Sequence, residues 1–145
     1  MKVAIIGGVA GGATAAARLR RLDESAEIII FERSGYVSYA NCGLPYYIGG
    51  EIKRRSSLTL QTPKSFKERF NIDVRINSEV IKIDRARKKV TVNYAGGTYE
   101  ESYDKLIYSP GARPILPDGA ENGSFFPLRT VEDTFAMHDY VVGQK

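Results

Sequence analysis

An α/β domain, in which a parallel sheet with flanking helices carries an added antiparallel meander, is the architecture that three features of the sequence predict. Two short β-branched runs, Val3 to Ile6 and Ile28 to Phe31, bracket a helical stretch from Ala10 to Leu22. Three further strand-type runs between Val80 and Tyr103 are punctuated by turn residues. The composition, 43% hydrophobic and 26% charged over 145 residues, suits one core and not two full domains.

Each element has a local reason. Val3-Ala4-Ile5-Ile6 is apolar throughout, as a strand buried on both faces of a parallel sheet must be, and Gly7-Gly8 ends it. The following helix opens on Gly11, Gly12, Ala13, Ala15, Ala16 and Ala17, side chains small enough to lie close on a sheet. Arg18, Arg20 and Arg21 sit towards its negative dipole end, and Asp23-Glu24-Ser25 closes it. Ile28 to Phe31 then forms a second strand, and a strand-helix-strand crossover of this kind is right-handed and parallel. Pro45 suits the first turn of a short helix through Ile48, ended by Gly49-Gly50. Thr62-Pro63 starts another helix, with Thr62 as its cap and Phe66 and Phe70 on one face. Ile72 to Ile76 is expected as a third parallel strand. Val80 to Ile83, Lys89 to Tyr94 and Thr98 to Tyr103 form the meander, with Ala95-Gly96-Gly97 as a hairpin turn. Leu106-Ile107-Tyr108 returns to the main sheet and stops at Pro110-Gly111. Beyond Pro114, Pro117 and Pro127, residues 130 to 142 read as a last helix. A parallel sheet this small leaves a strand edge to be covered, so the chain reads as part of a larger fold.

Gly7-Gly8-Val9-Ala10-Gly11-Gly12 joins strand to helix, the context in which a glycine-rich turn binds a dinucleotide. Gly7 and Gly12 match the first and third glycines of that pattern, while Val9 occupies the second position. Gly7 permits the tight turn, Gly12 permits close helix packing, and Gly8 and Gly11 leave the backbone open to a pyrophosphate at the positive helix end. Glu32 follows Gly12 by 20 residues at the end of the second strand, where a carboxylate accepts hydrogen bonds from a ribose. An acid there disfavours a 2′-phosphate and points to FAD or NAD over NADP. A glycine turn that serves packing alone is the plainer alternative.

Cys42 is the only cysteine, so no internal disulfide forms, and with His138 as the only histidine no Cys/His metal site is expected. It stands between Asn41 and Gly43 just before the Pro45 helix, whose positive end would favour the thiolate. A buried inert thiol is the competing reading. Arg18 and Arg21 are three apart on one helix face, as contacts to a nucleotide's phosphates or as an ordinary solvated basic face. The tyrosines Tyr36, Tyr39, Tyr46 and Tyr47 serve equally as channel or as core. The formal charge of +4 and the lack of aromatics interleaved with a basic groove argue against nucleic acid. No apolar run approaches the roughly 20 residues of a membrane span, and no secretory signal opens the chain, so a cytoplasmic protein is expected.

Four segments together carry a resemblance. Val3 to Gly12, Ile30-Phe31-Glu32-Arg33, Ser38-Tyr39-Ala40-Asn41-Cys42-Gly43-Leu44-Pro45-Tyr46 and Tyr103 to Ala112 are similar to the opening of coenzyme A disulfide reductases. These belong to the single-cysteine branch of the FAD-dependent pyridine nucleotide-disulfide oxidoreductases, with NADH oxidases, NADH peroxidases and persulfide reductases. The resemblance spans nearly the whole chain, and the cysteine segment is its most specific part.

It implies a partial Rossmann-like FAD/NAD(P)-binding domain, with residues 1–112 as the first segment and 113–145 as a linker and helix leading towards an NADH-binding domain. It implies that Gly7, Gly8, Val9, Ala10, Gly11, Gly12 and Glu32 hold the ADP half of FAD. Arg33 would sit beside the adenosine, Val80 would offer backbone to the adenine, and Ser109 and Gly111 would belong to a second turn at the flavin. Cys42 would be the redox sulfur, and Thr14, Arg18, Arg21, Ser38 and Asn41 would contact coenzyme A. The longer enzyme would take electrons from NAD(P)H, act on a coenzyme A-type disulfide or persulfide, and form a homodimer. The 145-residue chain alone is expected to hold FAD weakly and to lack NADH turnover. An oxidase or peroxidase of the same branch, or a stand-alone nucleotide-binding module with a structural cysteine, are the alternatives.

Overall fold

The computed structural model describes residues 1–120 and 125–143. The chain divides into two compact units, one made of Met1–Ser38 and Gln61–Gly111, the other of Tyr39–Leu60 and Ala112–Lys145. The expected linker and helix of residues 113–145 include 121–124 and 144–145, which lie outside the described residues.

The first unit holds β1 (Lys2–Ile6), α1 (Ala10–Leu22), β2 (Glu27–Phe31), α3 (Pro63–Phe70), β3 (Asp73–Arg75), β4 (Glu79–Asp84), β5 (Lys89–Tyr94), β6 (Gly97–Ser102) and β7 (Lys105–Tyr108); α2 (Leu44–Ile48) and α4 (Val131–Gly143) lie in the second. Four strands form one sheet in the order β3-β2-β1-β7, and every neighbouring pair is parallel. The meander β4-β5-β6 is a separate antiparallel sheet. Successive side chains of β1 and β2 point to opposite faces. Val3, Ile5, Ile28 and Ile30 pack with Ala13, Ala16, Phe66 and Ile72, while Ala4, Ile6, Ile29 and Phe31 pack with Val90, Val92 and Tyr103. Helices therefore cover one face of the parallel sheet and the meander covers the other, which is why both strands are apolar without alternation.

The helices begin and end for identifiable reasons. At α3 the Thr62 hydroxyl accepts from the Ser65 N–H (3.1 Å), and the Ser65 hydroxyl accepts from the Thr62 N–H (2.8 Å). Asn71 ends that helix in the left-handed conformation, φ 47°. Arg20 closes both α1 and α3, donating to the carbonyls of Asp23, Glu24, Ala26, Phe70 and Asn71. In α4, Asp133 accepts from the N–H groups of Arg129 and Thr130, and the Thr130 hydroxyl accepts from the Asp133 N–H.

Two local features depart from expectation. The hairpin turn has two residues, not three: Tyr94 pairs with Gly97, which starts β6 at φ 116°. In β4 the pairing with β5 slips between Val80 and Lys82, leaving Ile81 as the extra residue of a bulge. Val80 and Ile83 pack inward against the meander core, whereas Ile81 is 55% exposed.

The second unit has a smaller core, with Leu44, Tyr47, Leu58, Ala120, Val131 and Thr134 buried. Here α2 packs on α4: the Tyr47 ring meets Phe135 edge-on at 5.9 Å and lies 4.8 Å from His138. Arg55 covers Phe135 (4.5 Å), pairs with Asp139 and donates to the Tyr47 hydroxyl (3.3 Å). Tyr47 and His138 are thus packing residues of this unit, while Tyr46 is 60% exposed. Among the described residues no helix is long and apolar enough to cross a membrane.

Candidate functional site

At the carboxyl ends of β1 and β2 the first unit opens a small cleft of about 80 Å³. Ile6 and Gly7 line it from β1, Phe31, Glu32 and Arg33 from β2, and Ser78, Glu79 and Val80 from the start of β4; Pro110 follows β7. Of the residues singled out from sequence, Gly7, Glu32, Arg33 and Val80 share this one cleft.

The glycine turn is held by backbone contacts that exclude side chains. Gly7 has φ 94°, and a Cβ on it would lie 2.0 Å from the Ser109 carbonyl oxygen. A Cβ on Gly12 would lie 1.8 Å from the Gly7 carbonyl oxygen, so α1 approaches the turn at a distance only glycine allows. The Gly7 N–H donates to the Phe31 carbonyl (2.8 Å) and the Ser109 N–H to the Ile6 carbonyl (2.9 Å), tying β1, β2 and β7 together around the turn. Helix α1 begins after Val9 with no side chain capping it and no acid in its first turn. Its leading N–H groups have no intrahelical acceptor, and they carry the positive end of a 13-residue dipole. Ala10 and Gly11 are exposed there.

Glu32 is 6% exposed, and its carboxylate accepts from the N–H of Gly8 (2.7 Å) and of Ser34 (2.9 Å). One oxygen takes each bond, leaving further lone pairs on both. Ser38 has φ 48°, and its N–H donates to the Gly8 carbonyl (2.9 Å). Ser109 presents backbone to the glycine turn, but its hydroxyl is buried without a hydrogen-bond partner. Gly111 has φ 73°. Thr14, Arg18 and Arg21 are all exposed, at the four- and three-residue spacings that share one face of α1.

In the second unit, Asn41, Cys42 and Gly43 form a 3-10 turn leading directly into α2. Cys42 is exposed, which sets aside a buried inert thiol. The field expected from the following helix is weak, because α2 has only five residues and sums few peptide dipoles. Asn41, with its amide oriented to satisfy both neighbours, donates to the Tyr39 carbonyl (3.3 Å) and accepts from Arg129 Nη1 (3.1 Å). Arg129 is a neighbour that sequence reasoning missed, since 88 positions separate the two. Glu79 and Ser78 were missed at the cleft, because the strand bounds alone do not say which end of β4 reaches it. Among the described residues no group of His, Cys, Asp and Glu is placed to hold a metal ion.

Known proteins share this arrangement. The family model described as pyridine nucleotide-disulphide oxidoreductase matches residues 1–145. A coenzyme A disulfide reductase of Staphylococcus epidermidis is 43% identical over 146 residues, covering 99% of this chain and 33% of that protein. The crystal structure of reduced Bacillus anthracis CoADR-RHD superposes with a TM-score of 0.95 at 49% identity, over 99% of this chain and 27% of that one. An NAD-dependent persulfide reductase from A. fulgidus superposes with a TM-score of 0.92 at 37% identity, over 96% and 27%. The chain thus spans about one third of the length of the curated relatives it matches.

Proposed function

Because the chain belongs to the pyridine nucleotide-disulphide oxidoreductase family, we propose that it is the FAD-binding opening of a longer enzyme that reduces coenzyme A disulfide or a related persulfide through Cys42. The observation that carries this is the meeting of the Gly7 turn and the buried Glu32 carboxylate in one cleft, with the uncapped start of α1 following the same turn. These residues fit the ADP half of FAD. The leading N–H groups of α1 would receive a diphosphate and the Glu32 carboxylate, with its spare lone pairs, a ribose, while Arg33 and Val80 line the cleft beside Glu32.

In this proposal residues 1–112 form the first FAD-domain segment and residues 113–145 lead on to an NAD(P)H-binding domain. Gly7 to Gly12, Glu32, Arg33, Val80, Ser109 and Gly111 form the dinucleotide site, Gly7 and Gly8 by shaping the turn, since their N–H groups are already bonded to Phe31 and Glu32. Ser109 acts through its backbone, since its hydroxyl is closed off. Thr14, Arg18, Arg21, Ser38 and Asn41 receive coenzyme A, with both arginines offering forked donors to its phosphates. Cys42 supplies the nucleophile: as thiolate its Sγ bonds to one sulfur of the substrate disulfide while the S–S bond breaks and the other half leaves as thiolate. Bound FAD supplies the reducing equivalents, drawn from NAD(P)H, that return the sulfur to its starting state. Asn41, held by Arg129 and the Tyr39 carbonyl, fixes the turn that presents the sulfur. A homodimer and a cytoplasmic setting, as in the enzymes the sequence resembles, complete the reading.

Titrating the 145-residue chain with ADP and with FAD by calorimetry tests this. Saturable binding of both is expected, with flavin lost on gel filtration and no NADH consumption. Failure of ADP and FAD to bind would overturn the nucleotide assignment. A Cys42 that reacts with a thiol reagent no faster than free cysteine would overturn its redox role in favour of a stand-alone module.

A further inference from the structure

The position of the Glu32 carboxylate has a meaning that ribose recognition does not cover. It sits almost wholly out of solvent, with one oxygen on the Gly8 N–H and the other on the Ser34 N–H. The Ser34 end is itself fixed, since the Ser34 hydroxyl donates to the Tyr36 carbonyl (3.0 Å) and accepts from the Tyr36 N–H (3.2 Å). The Gly8 carbonyl is engaged from the same segment by the Ser38 N–H. Both backbone polar groups of Gly8 are therefore used within the protein, and the Gly8 N–H is not among the donors left for a diphosphate. Those are the leading N–H groups of α1.

We propose that Glu32 is a positioning residue for the glycine turn, holding Gly8 in its ligand-ready place before any nucleotide arrives. The proposal rests on the dinucleotide reading above and deepens it. A carboxylate accepting backbone N–H groups makes stronger bonds than a neutral acceptor. A turn ordered in advance spares the ligand the cost of ordering it. Glu32 then contributes to binding of a nucleoside diphosphate even where the sugar has no hydroxyl to offer.

Two ligands and one variant separate this from ribose contact. Glutamine keeps the length of Glu32 but replaces one acceptor oxygen with an N–H₂ donor, which must face one of the two backbone N–H groups. Calorimetry on the full chain would compare ADP with 2′,3′-dideoxyadenosine diphosphate, for wild type and Glu32→Gln. The expected result is a weakening of about tenfold for both ligands. Equal binding of the dideoxy ligand by wild type and variant would overturn the proposal. Amide exchange of Gly8 in the ligand-free wild type is the second measurement, and it stands even if the variant does not fold. Protection before ligand is added supports the proposal, and protection that arises only with ADP overturns it. If wild type binds neither ligand, the dinucleotide reading fails, while Gly8 exchange still decides whether Glu32 holds the turn.

Discussion

Glu101 shows how a single residue joins separate strands. Its carboxylate accepts from Lys2 Nζ and from Arg75 Nη1, both at 2.6 Å, with its side chain 15% exposed. Burial pushes its pKa up, but the hydrogen bonds from Lys2 and Arg75 outweigh that and hold it below the ordinary glutamate value. A carboxyl with a depressed folded-state pKa contributes stability above its unfolded pKa and loses it as pH falls through the folded value. Glu101→Gln is expected to cost about 1–3 kcal/mol near neutral pH. It should also flatten the loss of stability below pH ~4.5, as urea titrations across pH would read. Ser109 predicts the opposite sign. Its buried hydroxyl has no partner, so Ser109→Ala should be neutral or stabilising by up to ~1 kcal/mol in the same measurement. At this scale the sequence disclosed kinds of residue better than their partners. Glu32 was legible as an acceptor from its spacing, but not its grip on Gly8 and Ser34, because hydrogen bonds across a turn depend on backbone direction. Arg129 beside Asn41 had no local signature at all.

Helices and strands were legible wherever periodicity and end signals agreed. Helix α1 spans the expected residues because small side chains meet the sheet and Asp23 stops it, and α3 begins at its Thr62 cap. The bulge in β4 was not legible, since strict alternation would turn Ile81 and Ile83 to the same side and Val80 to the other. The contribution of Arg20 was also hidden, because an arginine in a last helical turn reads as a dipole partner. Its five N–H donors instead meet five carbonyls at the ends of two helices. Lysine offers three donors from one point, so Arg20→Lys should cost about 2–3 kcal/mol by urea unfolding. Loss below ~0.5 kcal/mol would show that solvent replaces those bonds. Gly12→Ala forces a Cβ onto a backbone oxygen. It should cost more than about 3 kcal/mol or reopen the turn, abolishing ADP binding in titration.

For the whole molecule, the unequal cores of the two units set unequal local stability. The first has apolar clusters on both faces of a four-stranded sheet. The second buries a handful of apolar side chains and leaves Ile115, Leu116, Phe125, Val141 and Val142 substantially exposed. Native-state hydrogen exchange should find α2 and α4 opening well below the free energy of β1 and β2. Equal protection in the two units would contradict this. The parallel sheet and its meander could be read from sequence because their signals lie within short windows. The pairing of residues 39–60 with 112–143 could not, because nothing local marks a segment for a partner so far along the chain. The backbone passes from one unit to the other three times, after Ser38, Leu60 and Gly111. A protease that nicks any one of those passages leaves a peptide still threaded through both bodies, so a single cut cannot release either of them.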